Sequence, residues 1–265
     1  MALSFALVSF TALESHADPL RAERLDWQDL HYRASKLFIT AEAQVSLERQ
    51  GDEIQLFLGS EVLGRTSETR IRLEPGNARA LREEKLKIHK DAGLRSYEYA
   101  SDHAIKVRYR ERPVAEARKP LETWTEKSRY RQEFGAVDPA EAVTTPSALL
   151  YLLAASSLEK KGDVLEATLF ADERIVRAQA TVVAEEPFDG AIEQLGGGSY
   201  QPGVALRIRL SGQEASGEAV ELELLGLEGD LEVLLDRERR VPLAIRGGMP
   251  VLGRIEVKLR SVRFR

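Results

Sequence analysis

The feature that most constrains the fold is a two-residue alternation of apolar and polar side chains that recurs along most of the chain. Between residues 37 and 47 every odd position is apolar, whereas most even positions are polar. Because successive side chains of a strand point to opposite faces, this pattern predicts a long, half-buried strand. The same alternation predicts further strands at residues 54–58, 69–73, 81–88, 105–110, 164–170, 175–183, 204–210, 220–225, 231–235, 241–245 and 254–264.

The connections between these segments are short and rich in turn-forming residues. Examples are Gln50-Gly51-Asp52, Pro75-Gly76-Asn77 and Glu228-Gly229-Asp230,. Strands joined by so few residues pair antiparallel, because a parallel pair needs a long crossover. The chain is therefore predicted to be mainly β: a large curved antiparallel sheet or open half-barrel, forming one domain over residues 18–265.

One segment breaks the alternation and predicts a helix at about residues 146–158. Thr145 is a favoured N-cap residue and Pro146 suits the first helical position,. Lys160-Lys161-Gly162 supplies the cations and the glycine that helix C-termini prefer,. The segment is apolar on every side, so the helix is expected to be buried against the inner face of the sheet.

Two stretches, residues 113–143 and 185–203, show no sustained period and contain several prolines and glycines. They are predicted to be long loops, and whether they act as lids stays open. Trp124, in the first of them, either anchors a partner or packs onto the sheet,.

Residues 1–17 are interpreted as a secretory signal peptide, with a mature chain that begins near Asp18,. Their apolar run is too short to span a bilayer, and no other segment is predicted to do so. No Lys or Arg precedes the run, which leaves the true start site open; the alternative is a buried N-terminal element. The interpretation predicts an extracytoplasmic, periplasmic location.

The composition excludes several chemistries. The chain has no cysteine, which removes disulfides, thiolate metal sites and a cysteine nucleophile,. Aromatic residues make up 6% and the net charge is -5, so nucleic acid is not an expected partner,. Phosphate-binding loops, zinc-protease motifs and calcium-binding loops are absent,. His89 and His103 could approach each other, but no third ligand follows at a fixed offset, so neither a metal site nor a cofactor is predicted,.

A basic stripe is the one marked charge feature. Lys106, Arg108 and Arg110 are predicted to share one strand face, as a surface for an anionic partner. The alternative is a solvated face whose cations pair with cross-strand carboxylates such as Glu83 and Glu98,.

Several short motifs resemble the DUF3108-type families of secreted bacterial proteins of unknown function. They include Arg240-Val-Pro242-Leu between two apolar strands, a glycine at 253 before the last strand, and the apolar run 149–153. The resemblance implies no settled activity and no functional residue. By analogy, its layout is similar to periplasmic half-barrels that carry lipoproteins or lipids, which does not by itself establish function.

These observations predict a non-enzymatic extracytoplasmic protein that binds an apolar or amphipathic, lipid-like ligand or an envelope protein. The residues expected to line a ligand cavity are Leu150, Leu153, Phe170 and Leu235. One alternative is an enzyme that acts on envelope polysaccharide with carboxylates from several strands. Another is a structural or assembly factor that uses the basic face. The oligomeric state is not predicted.

Overall fold

A computed structural model describes residues 20–36, 38–135, 137–249 and 252–265. The predicted signal peptide lies outside these residues. Of the structure, 61% is strand and 8% is helical, in one large mixed sheet that does not close. The predicted mainly β class and open half-barrel are therefore confirmed.

The sheet contains every strand, and the only α-helix among the described residues is α1 (Leu149–Ala155). The strands are β1 (Trp27–Lys36), β2 (Ile39–Gln50), β3 (Glu53–Val62), β4 (Arg65–Leu73), β5 (Ala80–Ile88), β6 (Ala92–Tyr99), β7 (His103–Tyr109), β8 (Glu126–Glu133), β9 (Val143–Thr144), β10 (Val164–Ala171), β11 (Arg174–Pro187), β12 (Ile192–Gln194), β13 (Ser199–Tyr200), β14 (Val204–Glu214), β15 (Ala219–Val220), β16 (Glu228–Asp236), β17 (Pro242–Met249) and β18 (Gly253–Phe264). Short 3-10 turns lie at Ala22–Arg24, Val114–Glu116, Leu121–Thr123 and Pro146–Ala148.

Strand pairing joins the two ends of the chain in the middle of the sheet. From β1 to β8 each strand pairs with the next in an antiparallel meander. On its other side β1 pairs with the last strand, β18, and the sheet continues through β17, β16, β14, β11 and β10. Among the described strands, the parallel pairs are β9 with β10 and β12 with β18.

The alternation seen in the sequence separates a buried inner face from an outer face. Leu30, Val45 and Leu58 are successive cross-strand partners on β1, β2 and β3, and all three are buried in the main core. Their sequence neighbours on the outer face are more exposed, and most of them are polar, as Ser46 is, whereas Phe57 is aromatic. One apolar side of most strands therefore packs into a core, whereas β8 is largely exposed on both faces.

The predicted helix lies inside this sheet but ends earlier than expected. A 3-10 turn at Pro146–Ala148 leads into α1, and every residue of α1 is buried. Ser156 turns to extended backbone, and its hydroxyl donates to the carbonyl of Leu153 at 2.8 Å. Residues 160–162, which were predicted to end the helix, instead lie in the turn before β10.

Arg240 supplies the cap that ends α1. Its side chain is completely buried, and its guanidinium donates to the carbonyl oxygens of Leu153, Ala154, Ser156 and Leu158 at 2.6–3.2 Å. Burial lowers the pKa of Arg240 to about 10, so the side chain remains charged at neutral pH. A cation is favourable at a helix C-terminus because the unpaired carbonyls carry partial negative charge.

Three of the sequence predictions about loops and strands need correction. The stretch 113–143 contains the edge strand β8, and the stretch 185–203 contains the end of β11 and all of β12 and β13. The predicted strand at 220–225 shares only Val220 with an observed strand, the two-residue β15; a tight turn closes further on, where Leu224 and Leu227 exchange backbone hydrogen bonds. In the described part of the chain, no helix has both the length and the apolar character needed to cross a membrane.

Candidate functional site

The four predicted ligand-lining residues do not meet around one space. Leu150, Leu153 and Leu235 are completely buried in the main core. Phe170 lies in a second apolar cluster, where its ring packs at 5.4 Å from that of Phe134. A ligand that reached the three leucines would have to displace packed core side chains.

The basic stripe is divided by the fold. Arg108 and Arg110 are exposed, whereas the side chain of Lys106 is only 4% exposed and its ammonium is paired with Glu173. Glu173 belongs to the turn between β10 and β11, far from β7 along the sheet. Lys106 therefore binds the opposite end of the rolled sheet, and only the two arginines face solvent.

A buried polar cluster lies on the inner face beside this pair. The carboxylate of Glu83 is 1% exposed and accepts hydrogen bonds from Thr145 at 2.7 Å and from Tyr99 at 3.2 Å. The ammonium of Lys85 lies 3.3 Å from it. Burial opposes the charge on Lys85, but the nearby Glu83 more than compensates and leaves the pKa of Lys85 above its ordinary value,. The cluster therefore pairs a buried carboxylate with a partly exposed ammonium.

The outer face of the sheet carries a groove of about 640 Å³ that crosses β1 to β5. Two cross-strand rows form its floor. The first row is Asp29, Ser46, Phe57, Arg70 and Glu84, and the second is Glu48, Gln55, Arg72 and Arg82. The groove thus runs across the strands for ~19 Å, because it spans four strand spacings of about 4.8 Å.

The arginines of the groove are held in place by carboxylates. Arg72 donates two parallel hydrogen bonds of 2.7 Å to Glu53, and these bonds lower the pKa of Glu53. Arg82 lies 3.0 Å from Glu84. Each guanidinium is fixed by its partner yet keeps donors that face the groove, since Arg72 and Arg82 are partly exposed,.

Phe57 provides the one aromatic surface of the groove floor. Its ring lies against Gly59, where a side chain would come within 3.1 Å of it. The guanidinium of Arg70 stacks over the ring at 5.6 Å. Glycine at position 59 therefore gives the ring room to lie flat along the strand.

A second hollow of about 430 Å³ extends the groove, and the two share Arg70, Arg82 and Glu84. The segment 117–122 forms its far wall, and Trp124 fixes that wall to the sheet. The indole is buried, packs edge-on against Tyr109 at 6.4 Å and donates to the carbonyl of Lys119 at 3.2 Å. Of the two roles considered for Trp124, the structure shows packing onto the sheet.

Away from the groove, Asp102, His103 and Glu133 bring three potential metal-ligand atoms within 4.8 Å of one another. Neither this cluster nor the groove was predicted from the sequence, because both depend on strand register.

Comparison with protein-family models, curated proteins and solved structures finds no match. The fold and the site therefore define only a structural class. The protein is an open, mainly antiparallel β-sheet protein with a buried helix and a polar groove on its outer face.

Proposed function

We propose that this chain is an extracytoplasmic, non-catalytic binding protein that holds a segment of an acidic polysaccharide in the outer groove. The observation that supports this most strongly is the pair of polar cross-strand rows along the groove floor. The extracytoplasmic location is proposed because residues 1–17 have the sequence pattern of a signal peptide. Amino-terminal sequencing of the exported protein is expected to begin near Asp18; a chain that retains residues 1–17 would contradict the compartment.

The position of the groove favours recognition through side chains. Inside a sheet the backbone groups are already paired, so a ligand on the face can contact side chains only. The side chains of Arg72, Arg82 and Gln55 end in planar guanidinium or amide groups. Each end group offers two hydrogen-bonding atoms in fixed geometry, which suits neighbouring hydroxyls and carboxylates of a saccharide. Phe57, with the guanidinium of Arg70 over its ring, is the one aromatic side chain of this lining. A wholly apolar ligand fits poorly, since it would desolvate the charged groups without replacing their hydrogen bonds.

The charges of the groove favour an acidic over a neutral saccharide. The groove itself is lined by three cations (Arg70, Arg72, Arg82) and three anions (Asp29, Glu48, Glu84), and the second hollow that extends it adds Arg118 and Lys119 against Glu122, so the cations are slightly in excess over the two together. Carboxylates of a ligand can take up the donors that the arginines leave free, and hydrogen bonds between two charged groups are the stronger kind.

A polysaccharide-cleaving enzyme is the second candidate. It is favoured by three carboxylates from different strands that line the groove, namely Asp29, Glu48 and Glu84. Such enzymes need one protonated carboxyl group as the acid. Asp29 lies 3.1 Å from Arg263 and Glu84 lies 3.0 Å from Arg82, so two of the three are already engaged in ion pairs. New reducing ends after prolonged incubation with polygalacturonate would favour the enzyme.

Isothermal titration calorimetry with tetragalacturonate, compared with neutral chitotetraose, tests the proposal. We expect the acidic tetramer to bind more tightly, and Arg82→Gln to weaken that binding on the order of 10-fold, the loss of one charged hydrogen bond. Arg108→Gln is the matched control, because Arg108 is an exposed arginine outside the groove. If Arg108→Gln weakened binding of the acidic tetramer and Arg82→Gln did not, binding would occur on the basic stripe, and the proposal that the groove binds the saccharide would be contradicted.

A further inference from the structure

We propose that Asp102, His103 and Glu133 form a binding site for a divalent transition-metal ion of the zinc class. One ligand atom from each residue lies within 4.8 Å of the other two. The site lies outside the groove, and the inference does not depend on the proposed function.

The pairing of β7 with β8 creates this cluster. His103 begins β7 and lies directly opposite Glu133, the last residue of β8. Asp102 immediately precedes His103, and its carbonyl accepts a 2.8 Å hydrogen bond from the backbone N–H of Phe134. The two segments that carry the ligands are thus fixed to each other by backbone hydrogen bonds. A third ligand could not be recognised in the sequence because Glu133 reaches the site through strand register.

The type of ligand indicates the type of metal. One imidazole and two carboxylates form a set that Zn²⁺ accepts, and they leave a coordination position open. Magnesium and calcium prefer sites built from oxygen alone, so the imidazole favours a transition metal over both.

Arg131 supplies positive charge to the same cluster. Its guanidinium donates to Glu133 at 2.6 Å and lies 3.4 Å from the second oxygen of Asp102. The side chain is 55% exposed, so it can swing into solvent when a cation takes its place. A metal and this guanidinium therefore compete for the same carboxylates. Removal of the guanidinium should therefore strengthen metal binding.

Calorimetric titration of the metal-stripped full-length chain with zinc chloride tests the site. We expect one equivalent to bind, His103→Ala to weaken binding by at least about 10-fold, and Arg131→Gln to tighten it several-fold. His89→Ala is the matched control and should leave binding unchanged. Magnesium chloride should bind far more weakly. Absence of zinc binding, or binding that His103→Ala does not weaken, would overturn the proposal, as would weaker binding by Arg131→Gln.

Discussion

The hydroxyl of Thr145 donates a 2.7 Å hydrogen bond to the buried carboxylate of Glu83, which lies on β5. Thr145 also accepts a hydrogen bond from the backbone N–H of Ser147 and so caps the turn that leads into α1. At the other end of α1, the guanidinium of Arg240 binds the last carbonyls. The buried helix is therefore fixed to the sheet at both ends by polar contacts.

The first prediction concerns the carboxylate at the start of the helix. Glu83→Gln keeps the shape of the side chain but removes the charge that faces Lys85 and weakens the hydrogen bonds from Thr145 and Tyr99. We expect the free energy of unfolding to fall by about 2 kcal/mol, as measured by urea denaturation. Glu98→Gln, an exposed change on β6, should leave the midpoint nearly unchanged. Equal stability of the two variants would show that the cluster contributes nothing.

The second prediction concerns Arg240. Arg240→Met retains much of the apolar stem but leaves the carbonyls of Ala154 and Leu158 without their donor. We expect a loss of about 3 kcal/mol in the free energy of unfolding, because buried carbonyls lose hydrogen bonds to a charged group. Arg239→Met on the neighbouring, partly exposed arginine is the control. The capping role would be wrong if the two substitutions had equal effects.

The third prediction separates packing from ligand binding at Phe170. Its ring packs edge-on against those of Tyr97 and Tyr99, with centroids 6.3 and 6.1 Å away. Phe170→Ala is expected to cost about 3 kcal/mol of stability, as large-to-small changes in a core do. A variant of normal stability that fails to bind an apolar fluorescent dye would instead favour the apolar-ligand hypothesis.

The fourth prediction concerns alkaline pH. Burial raises the pKa of Tyr32, Tyr99 and Tyr200 above the ordinary value, and raises that of Tyr151 to about 12. An acid whose pKa is higher in the folded state stabilises the fold below its unfolded pKa of about 10, and this stability is lost as the pH rises further. The urea midpoint should therefore fall above about pH 10.

Absorbance at 295 nm provides the direct check of this alkaline effect. Four of the seven tyrosines should resist ionisation at pH 10.5 until the chain unfolds. Complete ionisation of all tyrosines in the folded protein at that pH would contradict the burial described.

The mainly β class could be predicted because one face of most strands is buried, as the alternation in β2 shows. Strand β8 was missed for the opposite reason: as an edge strand with both faces largely exposed, it has no apolar period,. Arg72 and Arg82 lie side by side because of the irregularity in register between β4 and β5, which no local sequence pattern encodes. The pair of Lys106 and Glu173 depends on how far the sheet rolls, which no local pattern encodes.

The most direct test of the groove is a map of backbone amide chemical shifts during titration of the ¹⁵N-labelled protein with tetragalacturonate. We expect the shifts to concentrate at the groove positions of β1 to β5, including Ser46, Gln55 and Arg72, and to follow one saturable curve. The same shifts should weaken in Arg82→Gln. Saturable shifts confined to Arg108 and Arg110, or to residues around α1, would contradict binding in the groove, and so would the absence of any shift.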